Sequence, residues 1–427
     1  MRSILRLCFA AFAAAALLVA HACTQPPGPP HDPPDAGDDA GVDAGYDDGL
    51  DAGGPFTASA GQWTWIPVDG SQCASGSTAG FAVNLSDAGR DLFIFMQGGG
   101  ACWNTGTCVP SLVQYGPVCS YGPNICLYNG AGGTQPTAAH VTEGNPFPRD
   151  GGGALPGELA QIQTVRALDR GDPSNPFRNA TFVYVPYCTG DLHAGRSERT
   201  YPYRYGAFDP VSQYTVHFAG AQNTALYLRK LRLTLPDVER VWLTGSSAGG
   251  YGATLNYERA RREFSGADVA LLADSSPFLP TYHWNDFTTE WSAEMPAGCA
   301  DCDAGLPRIM DHLLATYPSS RLGLLAYDHD NVISWYFYGA AGLNDYVSPP
   351  TGAYNADLVT LEGAYDGTAN GKYFVIAGTS HVLWPGYGTR LADGGYGAPV
   401  PSRDGGTDLK QWIDAWATGA AGWTSTH

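Results

Sequence analysis

Positive charge is scarce in this chain, with 23 Lys and Arg against 41 Asp and Glu and a formal net charge of −18. Such an acidic body argues against nucleic acid as a partner, because nothing in it answers a phosphate backbone. Long apolar runs are scarce as well, and beyond the first 22 residues no stretch is long enough to span a bilayer. The signatures of metal and phosphate sites are also missing. The aspartates between residues 24 and 56 lack the DxDxDG spacing and closing Glu of a calcium loop. Cys299 and Cys302 form a CxxC with no second CxxC or HxxxH to complete a zinc site, so a structural disulfide is expected there. The glycines of "QGGGACWN" precede no GKS or GKT, as a phosphate-binding loop requires. The sequence therefore calls for no metal and no cofactor.

The chain divides by composition. Residues 1–22 read as an export signal, with Arg2 and Arg6 ahead of the short apolar run "LCFAAFAAAALLVA". Ala20 to Cys23 fits both a small-residue cleavage site and a lipobox, and Cys23 is the expected lipid acceptor, a tether that anchors without spanning. Residues 23–56 are rich in proline, carry DAG four times and hold no Lys or Arg. With so little apolar surface to offset ordering entropy, the segment is expected to be a disordered spacer. Residues 57–427 then form the folded domain, expected to be a monomer, either secreted or held at the cell surface. Eight cysteines remain there, and in an exported chain they are expected to pair as four disulfides.

Six short apolar runs read as buried strands: "DLFIFM" (91–96), "ATFVYVP" (180–186), "RVWLTG" (240–245), "VALLAD" (269–274), "RLGLLAY" (321–327) and "KYFVIAG" (372–378). Their unbroken hydrophobicity fits a parallel sheet covered on both faces. Helical spacing over 212–231, 249–264 and 305–318 places helices between them, which predicts an α/β fold with a mainly parallel central sheet.

In "VWLTGSSAGGYGA" (241–253) a strand runs through GxSxG into a helix, the arrangement that lifts a serine hydroxyl out of a tight turn. Ser247 is accordingly the candidate nucleophile. A serine needs a base, and the base needs an orienting acid, in the chain order Ser, acid, His. His381 follows the last strand and is preferred over His312, inside a helix, and His329, beside the acid candidates. For the acid, Asp328 comes first after the strand ending "LLAY" and is preferred over Asp330; Asp274 is read as fixing a turn. Backbone N–H groups of Gly99 and Gly100, in the run that follows an early strand, and of Ala248, after the serine, are the expected oxyanion donors.

Taken in order, "QGGGACWN", "PYCTGD" (186–191), "GSSAGG" (245–250), "AYDHDN" (326–331) and "TSHVLW" (379–384) resemble the pectin acetylesterase and Notum carboxylesterase family. The resemblance implies an α/β-hydrolase fold, a disulfide-stapled extracellular domain, no metal, and ester hydrolysis by Ser247, Asp328 and His381. Plant and animal members usually carry an aromatic residue where this chain has Ala101, which implies an acyl pocket of another shape. The leading expectation is an esterase removing acetyl or other short acyl groups from a polysaccharide or related ester. A silent surface-anchored binding module and a lipid- or polyester-directed esterase are the alternatives.

Overall fold

Along the strand Asp91–Met96 the side chains part by turns. Leu92, Ile94 and Met96 enter one core, while Phe93 and Phe95 enter another. The same period of two separates Val241 and Leu243 from Trp242, Leu271 and Ala273 from Leu272, and Tyr373 and Val375 from Phe374. A sheet with a hydrophobic core on each face is the result, and it is why the strands show no polar alternation.

The computed structural model describes residues 49–108, 166–203, 210–339, 348–388, 391, 395–402 and 405–427. All belong to a compact unit beginning at Gly45. The expected leader and Cys23 lie outside the described residues, as do Cys119 and Cys126. Ten strands are present among the described residues: β1 (Trp63–Gln72), β2 (Thr78–Asn84), β3 (Asp91–Met96), β4 (Thr181–Val185), β5 (Ser197–Tyr203), β6 (Ser212–Phe218), β7 (Arg240–Ser246), β8 (Asp268–Asp274), β9 (Leu322–Tyr327) and β10 (Gly371–Ile376). Eight of them form one sheet in the order β1-β2-β4-β3-β7-β8-β9-β10. From β4 to β10 every pairing is parallel, and β1 and β2 add an antiparallel edge. All six expected strands are there.

The helices used below are α1 (Gly220–Thr234), α2 (Ala248–Leu255), α3 (Tyr257–Glu263), α4 (Trp284–Trp291), α5 (Leu306–Thr316), α6 (Asn331–Tyr338), α7 (Thr351–Asp366) and α8 (Leu409–Thr418). Helix α8 covers the second face with Trp412 and Trp416, whose indole N–H groups donate to Thr424 O and Leu271 O, so the large rings are buried without an orphaned donor. An Asp408–Gln411 capping box starts it. No helix among the described residues is long and apolar enough to cross a membrane.

Three expectations need correction. Residues 212–218, read as the start of a helix, are strand β6, paired antiparallel with β5. Val216 and Phe218 alternate with the half-exposed Thr215 and His217, a strand period that the helical reading of the window overrode. Residues 249–264 are two helices rather than one, broken at Asn256. The expected spacer also stops short of residue 56. Ala52 is buried, the Lys230 ammonium donates to Ala52 O and Gly54 O, and Phe56 N–H donates to Thr234 Oγ1, so the segment after residue 49 is docked on α1.

Disulfides staple the domain as expected where they are described. Cys73–Cys188 joins the end of the β1–β2 hairpin to the segment after β4, Cys102–Cys108 closes the loop after β3, and Cys299–Cys302 is the expected CxxC bridge.

Candidate active site

Because β3, β4, β7, β8, β9 and β10 run parallel, their carboxyl ends share one edge, where open α/β sheets bind ligands. Ser247 stands at that edge, between β7 and α2, with φ 56° and ψ −127°. A side chain in that region is strained, and the surroundings hold it there. Its N–H donates to Asp274 O at 2.8 Å. The flanking glycines are sterically obligatory. A Cβ on Gly245 would lie 2.4 Å from Gly249 O, one on Gly249 2.0 Å from Met96 O, and one on Gly98 2.4 Å from Ser246 O. The turn after β7 and the glycine segment after β3 thus close on each other, backbone to backbone.

The histidine loop crosses the sheet edge from β10 on hydrogen bonds. Asp328 N–H donates to Ile376 O, His329 N–H to Gly378 O and Asn331 N–H to Thr379 O, so the segments leaving β9 and β10 travel together. Beyond His381, the N–H groups of Leu383 and Trp384 donate to the two carboxylate oxygens of Asp274 at 2.8 and 3.1 Å, and Val382 N–H donates to Ser275 Oγ. Asp274 therefore does more than fix a turn, since its backbone holds the serine and its side chain holds the histidine loop. Burial raises its pKa, and the donors from Leu383, Ser246 and Trp384 work against that rise.

His381 Nδ1 meets Asp330 Oδ2 at 2.7 Å. The expected partnership with Asp328 is not formed. Asp328 Oδ1 instead accepts from Gly378 N–H at 2.8 Å and pairs with His329 Nδ1 at 2.9 Å. The reason lies in the helix that follows. Asp330 is the N-cap of α6, its Oδ1 taking the N–H groups of Val332 and Ile333, which turns Oδ2 inward to the imidazole. Asp330 is fully buried, and His381 Nε2 is buried with no hydrogen-bond partner among the described residues. The free nitrogen is the one a base would use. An Asp directly ahead of the apolar run "NVISWYFY" was the available sequence signal for Asp330. The other histidines downstream of the serine are engaged elsewhere, His312 with Glu258, His283 with Asp286 and His427 with Glu362.

The glycine segment is held from outside. Gly99 and Gly100 have φ of 153° and 79°, and a Cβ on Gly99 would press on the Tyr187 ring at 3.1 Å. Among the described residues none accepts a hydrogen bond from the N–H of Gly99, Gly100 or Ala248. Before the glycines, Gln97 O is bonded to His193 Nε2 at 2.9 Å; after them, Cys102 O accepts from Trp291 Nε1 at 2.6 Å. The motif "PYCTGD" supplies Asp191, fully buried, whose carboxylate accepts from Thr189 Oγ1 and from the N–H groups of His193, Gly195 and Gly220. Burial pushes its pKa up to about 6. Burial also lowers His193 to about 4. Sequence reasoning missed His193, which no local pattern marks.

Next to the segment, Trp103 is buried against His283, Phe287 and Tyr336, with ring centroids at 4.7, 5.3 and 6.3 Å. The stretch 282–296 contributes α4, whose buried Trp284, Phe287 and Trp291 share a face. A separate cavity of about 450 Å³, between Phe278, Trp284, Pro307 and Leu361, touches neither Ser247 nor His381.

A strand–serine–helix turn on a mainly parallel α/β sheet, with a His–Asp pair at the same edge, is the α/β-hydrolase class of arrangement. The family model for pectinacetylesterase matches residues 160–293. Human palmitoleoyl-protein carboxylesterase NOTUM is 25% identical over 214 residues, 48% of this chain and 34% of that protein, and Xenopus laevis palmitoleoyl-protein carboxylesterase notum2 is 26% identical over 218 residues, 49% and 35%. The match thus spans about a third of the length of these curated relatives. Two crystal structures of the Wnt deacylase Notum from Drosophila share the fold, with TM-scores of 0.51 and 0.52 at 18% identity, over 83% of this chain and 92% and 93% of theirs. The chain is thus similar to the pectin acetylesterase and Notum family, over part of its length in sequence and over most of it in fold.

Proposed function

We propose that this protein is an exported serine carboxylesterase. Ser247 attacks the ester carbonyl, His381 Nε2 takes the hydroxyl proton and returns it to the leaving alcohol, and Asp330 fixes the tautomer through Nδ1. The N–H groups of Gly99, Gly100 and Ala248 receive the developing oxyanion, with the N-terminus of α2 favouring the same charge. Water then attacks the acyl-enzyme carbonyl, giving a proton to His381 Nε2, which passes it to Ser247 Oγ as the ester bond to the serine breaks and the carboxylic acid leaves. The observation that carries this reading is His381, held on a buried aspartate by one ring nitrogen with the other unpartnered among the described residues.

The acyl group is acetyl or similarly short, and the alcohol belongs to a polysaccharide or related ester. The packing of Trp103 by three rings beside the glycine segment favours a small acyl group. The three disulfides among the described residues suit an oxidising, extracellular setting. Hydrolysis of p-nitrophenyl esters from acetate to palmitate by the oxidised full chain and its Ser247→Ala variant tests the proposal. Turnover greatest on acetate or butyrate and lost in Ser247→Ala is expected. A long-chain optimum moves the substrate to lipids, and folded protein with no serine-dependent turnover makes a silent binding module the better account.

A further inference from the structure

The three glycines after β3 have no side chains with which to hold their own conformation, yet an oxyanion site works only if its donors are fixed before charge develops. Something else must fix them. Two buried rings from distant parts of the chain bracket the segment. His193, 3% exposed and in the loop after β4, meets Gln97 O; because a carbonyl only accepts, the imidazole is the donor and carries its proton on Nε2. That carbonyl belongs to the peptide unit whose N–H is Gly98. Trp291, 1% exposed and the last residue of α4, donates Nε1–H to Cys102 O on the far side. Both rings are themselves locked. His193 lies against Tyr187 and over Gly252, where a Cβ would come within 2.6 Å of its ring, and Trp291 stacks on Phe287 with centroids 4.4 Å apart and planes 4° from parallel.

We infer that His193 and Trp291 are positioning residues for the oxyanion donors, His193 clamping Gln97 O directly before Gly98–Gly100 and Trp291 clamping Cys102 O two residues beyond it, each through a ring N–H to a backbone carbonyl. Neither touches substrate. The inference rests on the esterase reading above and adds a consequence that reading lacks: helix α4 acts on the chemistry through Trp291, from across the site.

The test uses the full chain with p-nitrophenyl acetate, together with binding of phenylboronic acid as a tetrahedral mimic on the serine. Trp291→Phe keeps the stacking ring and removes the N–H; it is expected to lower kcat about tenfold, leave KM within about twofold, and weaken the boronate by about the same factor as kcat. His193→Leu is expected to do the same, and His193→Gln, whose amide can still donate to Gln97 O, to recover most of the loss. Thermal melting reports folding separately. A folded Trp291→Phe with unchanged kcat and boronate affinity, or with only KM altered, overturns the inference. If Trp291→Phe does not fold, the His193 pair decides: recovery in Gln supports the clamp, and equal loss in Leu and Gln overturns it. A folded wild-type chain with neither serine-dependent turnover nor boronate binding overturns the esterase reading itself.

Discussion

The two loops that meet at the sheet edge are held in place by different means. The Ser247 turn is fixed by backbone volume, since Gly245, Gly249 and Gly98 sit where any Cβ would enter a neighbouring carbonyl. The histidine loop is fixed by side-chain carboxylates, with Asp274 taking two of its N–H groups and Asp330 its imidazole. A loop held by sterics tolerates no added atom, but what it meets is backbone, whatever side chains the neighbouring segments carry. One held by carboxylates tolerates substitution of its own residues and depends instead on acids far away in sequence.

That contrast is sharpest at the two acids after β9. Asp330→Asn is expected to lower kcat by about 10³- to 10⁴-fold, because the amide cannot hold the same imidazole tautomer, whereas Asp328→Asn stays within about tenfold. Steady-state kinetics on one short ester compare them directly, and equal losses would return the role to Asp328. Next in size is the steric loop. Gly249→Ala, with its methyl set against Met96 O, is expected to cost about 3 kcal/mol or more in stability or to abolish soluble expression, read by chemical denaturation. An alanine tolerated there without cost would break the comparison.

Asp274→Asn probes the carboxylate side, since an amide leaves at least one of the Leu383 and Trp384 N–H groups facing another donor. A loss of about 2 kcal/mol in stability, with kcat reduced about tenfold, is the expected outcome. The smallest effect concerns His193. Its folded pKa, about 4, lies below the ordinary 6.5, so its contribution to stability is complete above pH 6.5 and is lost as pH falls towards 4. Asp191 beside it, raised to about 6, works in the opposite sense, its stabilising effect complete below 3.8 and lost as pH rises through 6. Denaturation of wild type and His193→Gln between pH 4 and 7 should show the wild type losing relative stability towards acid; parallel curves would deny the buried neutral imidazole.

The same contrast explains what the sequence made legible. The serine turn could be read because its requirements are local: a strand, small residues at fixed offsets, a helix. All six buried strands were found for the same reason, since burial on both faces writes an unbroken apolar run. The carboxylate that meets His381 was expected at Asp328 and is found at Asp330, because position after a strand says nothing about which carboxylate faces a histidine 51 residues away. The helix-capping signal of Asp330 would have separated them. His193 and Trp291 were beyond reach, because their partners are carbonyls 96 and 189 residues distant, and every residue has a carbonyl. The strand Ser212–Phe218 was lost because it gives way to a helix after a single intervening residue, and the longer period dominated the window.

Asp330 both starts a helix and holds an imidazole. A lineage of such proteins that drifted away from chemistry towards mere attachment could discard the hydroxyl of Ser247 or the ring of His381 at little cost to its architecture. It could not discard this carboxylate so freely, because α6 would fray at its first turn. Retired descendants of this scaffold should therefore lose the serine or the histidine first and keep the aspartate as a relic of a reaction they no longer perform.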